Sequence, residues 1–195
     1  MLVVIEGSDK AGKATQSQML SERLEKEGFS AAVMSFPNYS TKIGEEIKAF
    51  LHGEKEYPVQ VRHMLLAANR WEKKTEIERM LKEKDVVILN RYYQSNLVYG
   101  AASGLKLEWL ESLDAGLPKE ELVMVLDVTP EVSLTRMQSK GDLFEMDNDM
   151  MSSVSKLYRD LASRYGWVLV NGDRSREEVH GEIFQIVKER IAKKQ

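Results

Sequence analysis

The sequence predicts an α/β fold in three layers, α/β/α, with a five-stranded parallel sheet in the middle. Three observations predict it. Five short runs, at residues 2–5, 31–36, 86–89, 122–128 and 167–170, are apolar almost without interruption, as strands buried on both faces are. The stretches between them repeat their apolar residues at helical spacing. No repeat, linker or low-complexity tract divides the 195 residues, so a single domain over 1–195 is expected, large enough to bury about 70% of its unfolded surface.

The first strand, Leu2-Val3-Val4-Ile5, runs into Gly7-Ser8-Asp9-Lys10-Ala11-Gly12-Lys13-Ala14-Thr15 and then a helix over 13–27. Two glycines five apart, followed by Lys, between a strand and a helix, make a phosphate-binding loop (P-loop). The glycines let successive N–H groups converge on phosphate oxygens, and the helix adds the positive end of its dipole. Lys13 reaches the outer phosphates as a compact charge. The motif asks for a hydroxyl after the Lys, where it touches the magnesium that bridges the phosphates, and this chain has Ala14. Thr15 does not replace it, because neighbouring helical residues point about 100° apart.

The second strand, 31–36, stops at Pro37, and Ser40 or Thr41 is placed to cap a helix over 41–52. A long helix over 59–83 carries Ala68-Asn69-Arg70-Trp71-Glu72, with Arg62, Leu66 and Arg70 on one face. An arginine there is either a snorkelling cation or a ligand for an anion or base. The third strand ends in Asn90-Arg91-Tyr92-Tyr93. Asn90 points towards the phosphate site, and the planar fork of Arg91 suits a phosphate clamp. In the helix over 91–103, Tyr92, Asn96 and Tyr99 share a polar face. After a short helix at 107–113, the fourth strand ends in Leu126-Asp127-Val128-Thr129-Pro130-Glu131, and a helix over 130–139 carries Arg136. Periodicity lapses from Gln138 to Asp147, a stretch that reads as a lid at about 137–150 or as a solvated turn. A helix over 148–165, the fifth strand and a helix over 176–193 complete the chain. Ligands of such a sheet gather at the carboxyl ends of the strands, where all these motifs fall.

A net charge of −3 argues against a nucleic-acid partner, and the absence of cysteine excludes disulfides and thiolate metal sites. The apolar N-terminal run is too short for a signal peptide or a membrane span, so a cytoplasmic protein is expected. His52, His63 and His180 lack metal-ligand spacing.

Taken in order, the glycine-rich loop, Phe36-Pro37, Ala68-Asn69-Arg70-Trp71-Glu72, Asn90-Arg91-Tyr92 and Leu126-Asp127-Val128-Thr129-Pro130-Glu131 resemble the thymidylate kinases over almost the whole chain. The resemblance implies ATP-dependent phosphorylation of thymidine monophosphate, with Mg²⁺ accompanying ATP, in a homodimer. It implies an ATP site made of Gly7, Ser8, Asp9, Lys10, Ala11, Gly12, Lys13, Ala14, Thr15 and Arg136, with the turn at 171–173 bordering the adenine. The acceptor site would comprise Asp9, Phe36, Pro37, Leu66, Arg70, Arg91 and Tyr99. In it Asp9 would hold the 3′-hydroxyl, Arg70 the pyrimidine edge, Leu66 the base, Tyr99 the sugar or base, and Arg91 the acceptor phosphate. Lys13, Lys10 and Arg91 would be the catalytic residues, with Lys140 of the lid a further cation. Two departures concern the metal: Ala14 lacks the ligating hydroxyl, and Asn90 stands where relatives carry Asp. No side chain then binds Mg²⁺ directly. Asn90 would act through a metal-bound water, leaving the metal mainly on phosphate oxygens and water, with Glu6 or Asp9 nearby. Two other functions stay open: a nucleotide-binding homologue with little transferase activity, and a kinase that also accepts deoxyuridine monophosphate.

Overall fold

The computed structural model describes residues 1–135 and 148–193. Arg136, Lys140 and the expected lid as far as residue 147 lie outside the described residues. In chain order the elements are β1 (Leu2–Gly7), α1 (Lys13–Lys26), β2 (Ala31–Ser35), α2 (Lys42–Leu51), α3 (Val59–Glu72), α4 (Lys74–Glu83) and β3 (Val86–Asn90). There follow α5 (Tyr93–Ala102), α6 (Leu107–Leu113), β4 (Leu122–Asp127), α7 (Pro130–Thr135), α8 (Asn148–Tyr165), β5 (Val168–Asn171) and α9 (Arg176–Ala192).

The five strands form one sheet in the order β2-β3-β1-β4-β5, every pairing parallel. The register pairs Leu2 with Val87 and Val3 with Ile88, and Val4 with Val123 on the other side. Side chains alternate across a strand, so the continuous apolar runs supply two cores. Leu2, Val4, Val87, Leu89, Val123 and Val125 pack against α4, α5 and α8 through Ile77, Leu97, Val154 and Tyr158. Val3, Ile5, Ile88, Leu122 and Met124 pack against α1 and α9 through Leu20, Leu24, Val179, Ile183 and Val187. This is the expected three-layer α/β/α arrangement, with helices on both faces.

The single helix expected over 59–83 is two helices. At Lys73 the backbone N–H turns back to Arg70 O at 3.1 Å, and the ladder resumes with Ile77 N–H to Lys73 O at 2.9 Å. Neither Pro nor Gly lies there. The two halves answer to different partners: Trp71 Nε1 donates to Leu113 O at 2.8 Å, while Ile77 and Met80 of α4 lie in the sheet core. The helix expected from residue 91 starts at Tyr93, because Arg91 has φ +65°, outside helical space. Residues 148–150, assigned to the lid from sequence, are the first turn of α8.

Candidate active site

The loop between β1 and α1 has the geometry its glycines require. Gly7 has φ +141°, and a Cβ there would stand 2.6 Å from Leu126 O of the neighbouring strand, so only glycine fits. Lys10 holds φ +59°, a left-handed conformation costing a non-glycine residue about 1–3 kcal/mol. The loop is tied from inside and outside. Lys13 Nζ donates to Ser8 O at 2.6 Å, and Ser133 Oγ of α7 donates to Asp9 O at 2.7 Å. Gly12 is the N-cap of α1 and offers no side chain to its first N–H groups, so the helix presents its positive end towards the loop.

A cavity of about 330 Å³ opens beside this loop at the carboxyl ends of β1, β2 and β3. Every acceptor-site residue expected from sequence lines it: Asp9, Phe36, Pro37, Leu66, Arg70, Arg91 and Tyr99. Asn90 lines it too, as do Tyr39, Asn96 and two residues that the sequence did not mark, Leu51 and Ser95. The remaining ATP-site residues, Ser8, Ala11, Ala14 and Thr15, follow one another around the loop and the first turn of α1.

Asp9 joins the two sides. Its carboxylate accepts from Arg91 Nη2 and, at 2.7 Å, from the Tyr99 hydroxyl. Burial pushes the Asp9 carboxyl up, but the charges of Arg91 and Lys13, the Tyr99 hydrogen bond and the charge of Lys10 together hold it below its ordinary value. Burial first, and then Asp9, raise the Tyr99 phenol well above its usual range, so it remains a donor. Arg91 Nη1 also donates to Gly7 O at 3.2 Å and to Ser95 Oγ at 3.0 Å. These bonds use three of the five N–H groups of a guanidinium, which has no acceptor. The fork is fixed in place and still borders the cavity.

Behind Arg91 lies Glu6, a fully buried carboxylate on the central strand. It accepts the backbone N–H groups of Tyr92 and Ser95 at 2.8 and 3.1 Å, and the hydroxyls of Ser95 and Tyr158 at 2.6 and 2.9 Å. From sequence Glu6 is a carboxylate expected near the magnesium, and all four donors lie far along the chain.

Every polar residue of Asn69-Arg70-Trp71-Glu72 is engaged, Asn69 and Glu72 with each other and with Thr41. Asn69 Oδ1 accepts Asn38 N–H at 2.7 Å and its Nδ2 donates to Asn38 O at 3.1 Å, clamping the loop that carries Phe36 and Pro37. Thr41 caps α2 through Gly44 N–H and donates to Glu72 at 2.8 Å. Gly44 is essential to that packing, since a Cβ on it would fall 1.9 Å from Asn38 O. Arg70, on α3, lies between the cavity and Asp114, with which it forms a buried ion pair. Asp114 carries no local sequence signal. Tyr92, expected on the same polar face as Asn96 and Tyr99, turns into the core, and its hydroxyl reaches Pro118 O at 3.1 Å. Asn96 Oδ1 meets His63 Nδ1 at 2.6 Å.

For magnesium, no group of three or more His, Cys, Asp or Glu among the described residues is arranged as a metal site. Asn90 does offer a buried acceptor: its Oδ1 has no hydrogen-bond partner among the described residues, while its Nδ2 donates to Ser35 Oγ at 3.2 Å. That chemistry fits a hydrated ion held through water.

Comparison with known proteins agrees over the same span. A family model described as thymidylate kinase matches residues 5–183. The thymidylate kinase of Schizosaccharomyces pombe is 34% identical over 190 residues, covering 95% of this chain and 90% of that protein. The thymidylate kinase of Homo sapiens is 31% identical over 186 residues, with 93% and 87% covered. Among solved structures, the thymidylate kinase of Candida albicans superposes with a TM-score of 0.85 at 26% identity, covering 97% of this chain and 91% of that one. Likeness of this extent cannot come from the phosphate loop alone, and the chain belongs to the thymidylate kinase family.

Proposed function

We propose that the protein transfers the γ-phosphoryl group of ATP to thymidine monophosphate, giving ADP and thymidine diphosphate. The observation that carries this reading is the meeting of the phosphate loop and the Arg91 clamp on one carboxylate, Asp9, at the edge of the 330 Å³ cavity. Phosphoryl transfer asks for in-line positioning and charge stabilisation rather than covalent chemistry from the protein. In this reading ATP lies along the loop, its phosphates against the α1 N-terminus and Lys13. Thymidine monophosphate fills the cavity, its phosphate on Arg91, its base between Leu66 and Arg70, and its sugar near Tyr99 and Asp9. An oxygen of the acceptor phosphate, already ionised, attacks the γ-phosphorus while the bond to the bridging oxygen of ADP breaks. Lys13, Lys10 and Arg91 offset the charge on the group in flight. Asn90 Oδ1, a buried acceptor, would hold Mg²⁺ through a water, and the ion would supply further positive charge when bound.

The wider reading has three further parts. A single kinase domain over 1–195 carries a lid inserted near residues 137–147, with Arg136 at the adenine. A homodimer is supported by Met64 and Trp71 of α3, which are 46% and 39% exposed. A cytoplasmic location completes the reading. No helix among the described residues is long and apolar enough to cross a membrane.

A coupled assay of ATP consumption, run across nucleoside monophosphates with and without Mg²⁺, tests the proposal. Turnover with thymidine monophosphate and Mg²⁺ is the expected result. ATP binding without turnover identifies a nucleotide-binding homologue, and equal turnover of deoxyuridine monophosphate identifies the broader kinase.

A further inference from the structure

We propose that Glu6 and Ser95 are positioning residues for the acceptor phosphate, forming a directed hydrogen-bond relay that aims Arg91; this inference rests on the function proposed above. The direction of the relay follows from its members. Arg91 Nη1 only donates, so Ser95 Oγ must accept from it at 3.0 Å. The single Ser95 hydroxyl proton is then left for Glu6 Oε2, at 2.6 Å. Glu6 is itself immobilised: it sits on the central strand with no exposure, and both of its oxygens are engaged.

Glu6 also fixes the backbone that follows the clamp. Its Oε1 accepts the N–H groups of Tyr92 and Ser95, which begin the turn and helix immediately after Arg91. Arg91 N–H donates to Ile5 O at 3.0 Å, and its φ of +65° is a conformation that a non-glycine residue keeps only when its surroundings enforce it. Burial opposes the Arg91 charge, while Asp9 and, more weakly, Tyr99, Tyr158 and Glu6 favour it, leaving the guanidinium firmly protonated. Asp9 and Glu6 therefore approach the fork differently. Asp9 bonds it directly from the cavity side, and Glu6 acts through one hydroxyl from within the protein. Tyr158, on α8, donates to the same Glu6 oxygen at 2.9 Å and ties a third element to the relay.

The test separates positioning of a phosphate-binding group from general support of the fold. Dissociation constants of thymidine monophosphate, thymidine and ATP are measured by calorimetry on wild type, Ser95→Ala, Glu6→Gln and Tyr158→Phe, with a thermal melt of each. Ser95→Ala is expected to weaken thymidine monophosphate about tenfold, a typical effect of losing one hydrogen bond to a charged group, and to leave thymidine and ATP within twofold. Glu6→Gln and Tyr158→Phe are expected to move in the same direction by less, because each leaves the Ser95 hydroxyl in place. Equal losses for thymidine and its monophosphate in Ser95→Ala, or no change in either, overturn the relay. Should Glu6→Gln not fold, Ser95→Ala decides alone. A wild-type protein that binds thymidine as tightly as its monophosphate instead overturns the acceptor assignment of Arg91 beneath it.

Discussion

Arg70 and Asp114 face each other as two matched forks, Nε to Oδ1 and Nη2 to Oδ2, both at 2.7 Å, with side chains only 3% and 2% exposed. A pair so deeply buried is costly to break from one side, because the survivor keeps its charge and loses its partner. Asp114→Ala is expected to destabilise the fold by about 3–5 kcal/mol. The apolar double variant Arg70→Met with Asp114→Leu is expected to recover much of that loss. Urea unfolding of the three proteins checks this, and a double variant no more stable than Asp114→Ala counts against it.

The two arginines of the cavity are expected to fail differently. Arg91→Ala removes the group proposed at the acceptor phosphate and is expected to depress turnover of every acceptor alike. Arg70→Ala removes the group proposed at the base and hurts thymidine monophosphate most, flattening discrimination among bases, each by about 1–3 kcal/mol. The comparison is made as kcat/KM across acceptors at a temperature well below the melting point of both variants. Identical profiles would remove the distinction.

Ala14 is exposed in the first turn of α1. The Ser17 hydroxyl is committed to Lys13 O at 2.8 Å. Ala14→Ser is expected to lower the Mg²⁺ concentration for half-maximal activity about tenfold, the worth of one ligand or hydrogen bond to a charged group. A magnesium titration of initial rates reads it, and an unchanged midpoint means the metal site is complete without that position.

Lys10 stands in a left-handed turn of the phosphate loop, and the proposed reaction gives it the negative charge that gathers during transfer. Lys10→Ala is expected to lower kcat by about 10²–10³-fold, as loss of one electrostatic stabiliser does, with ATP affinity changed far less. Single-turnover rates for Lys10→Ala and Lys140→Ala, measured side by side, decide which lysine acts. A slow chemical step only in the second transfers the role to the lid.

His63 sets a pH dependence. Burial first, then the Arg70 and Arg62 charges, lower its pKa from 6.5 against the pull of the Asn96 hydrogen bond. The unfolded chain therefore takes up a proton near pH 6.5 that the folded chain refuses, so stability is full above that pH and falls as the pH drops below it. His180 is also held below 6.5, by burial and Arg23, and contributes a slope of the same sign. Melting temperatures from pH 8 to 5 should fall less steeply for His63→Gln than for wild type. Parallel curves would show that His63 does not titrate in this window.

What was legible in the sequence was local. The phosphate loop announces itself because strand, glycines, lysine and helix are contiguous. The two-sided sheet is visible because its strands are apolar throughout. Arg70 and Arg91 were marked by their neighbours, yet their anchors were not: Asp114 lies 44 residues from Arg70, and Glu6 lies 89 residues from Ser95. Nothing in the sequence around Asp114 distinguishes it from a solvated carboxylate. The break at Lys73 was equally silent, since it arises from two halves of a helix packing on different partners and not from a helix-breaking residue.

Asp9 belongs at once to the phosphate loop and to the Arg91–Tyr99 pair. Whatever draws Arg91 towards an acceptor phosphate changes the company this carboxylate keeps, and with it the loop that cradles the donor. The two substrates are then thermodynamically linked, and linkage is reciprocal: the factor by which the acceptor alters the affinity for the donor equals the factor by which the donor alters the affinity for the acceptor. Asp9→Asn, which weakens the tie to Arg91 while preserving shape, should bring that shared factor closer to one from both directions.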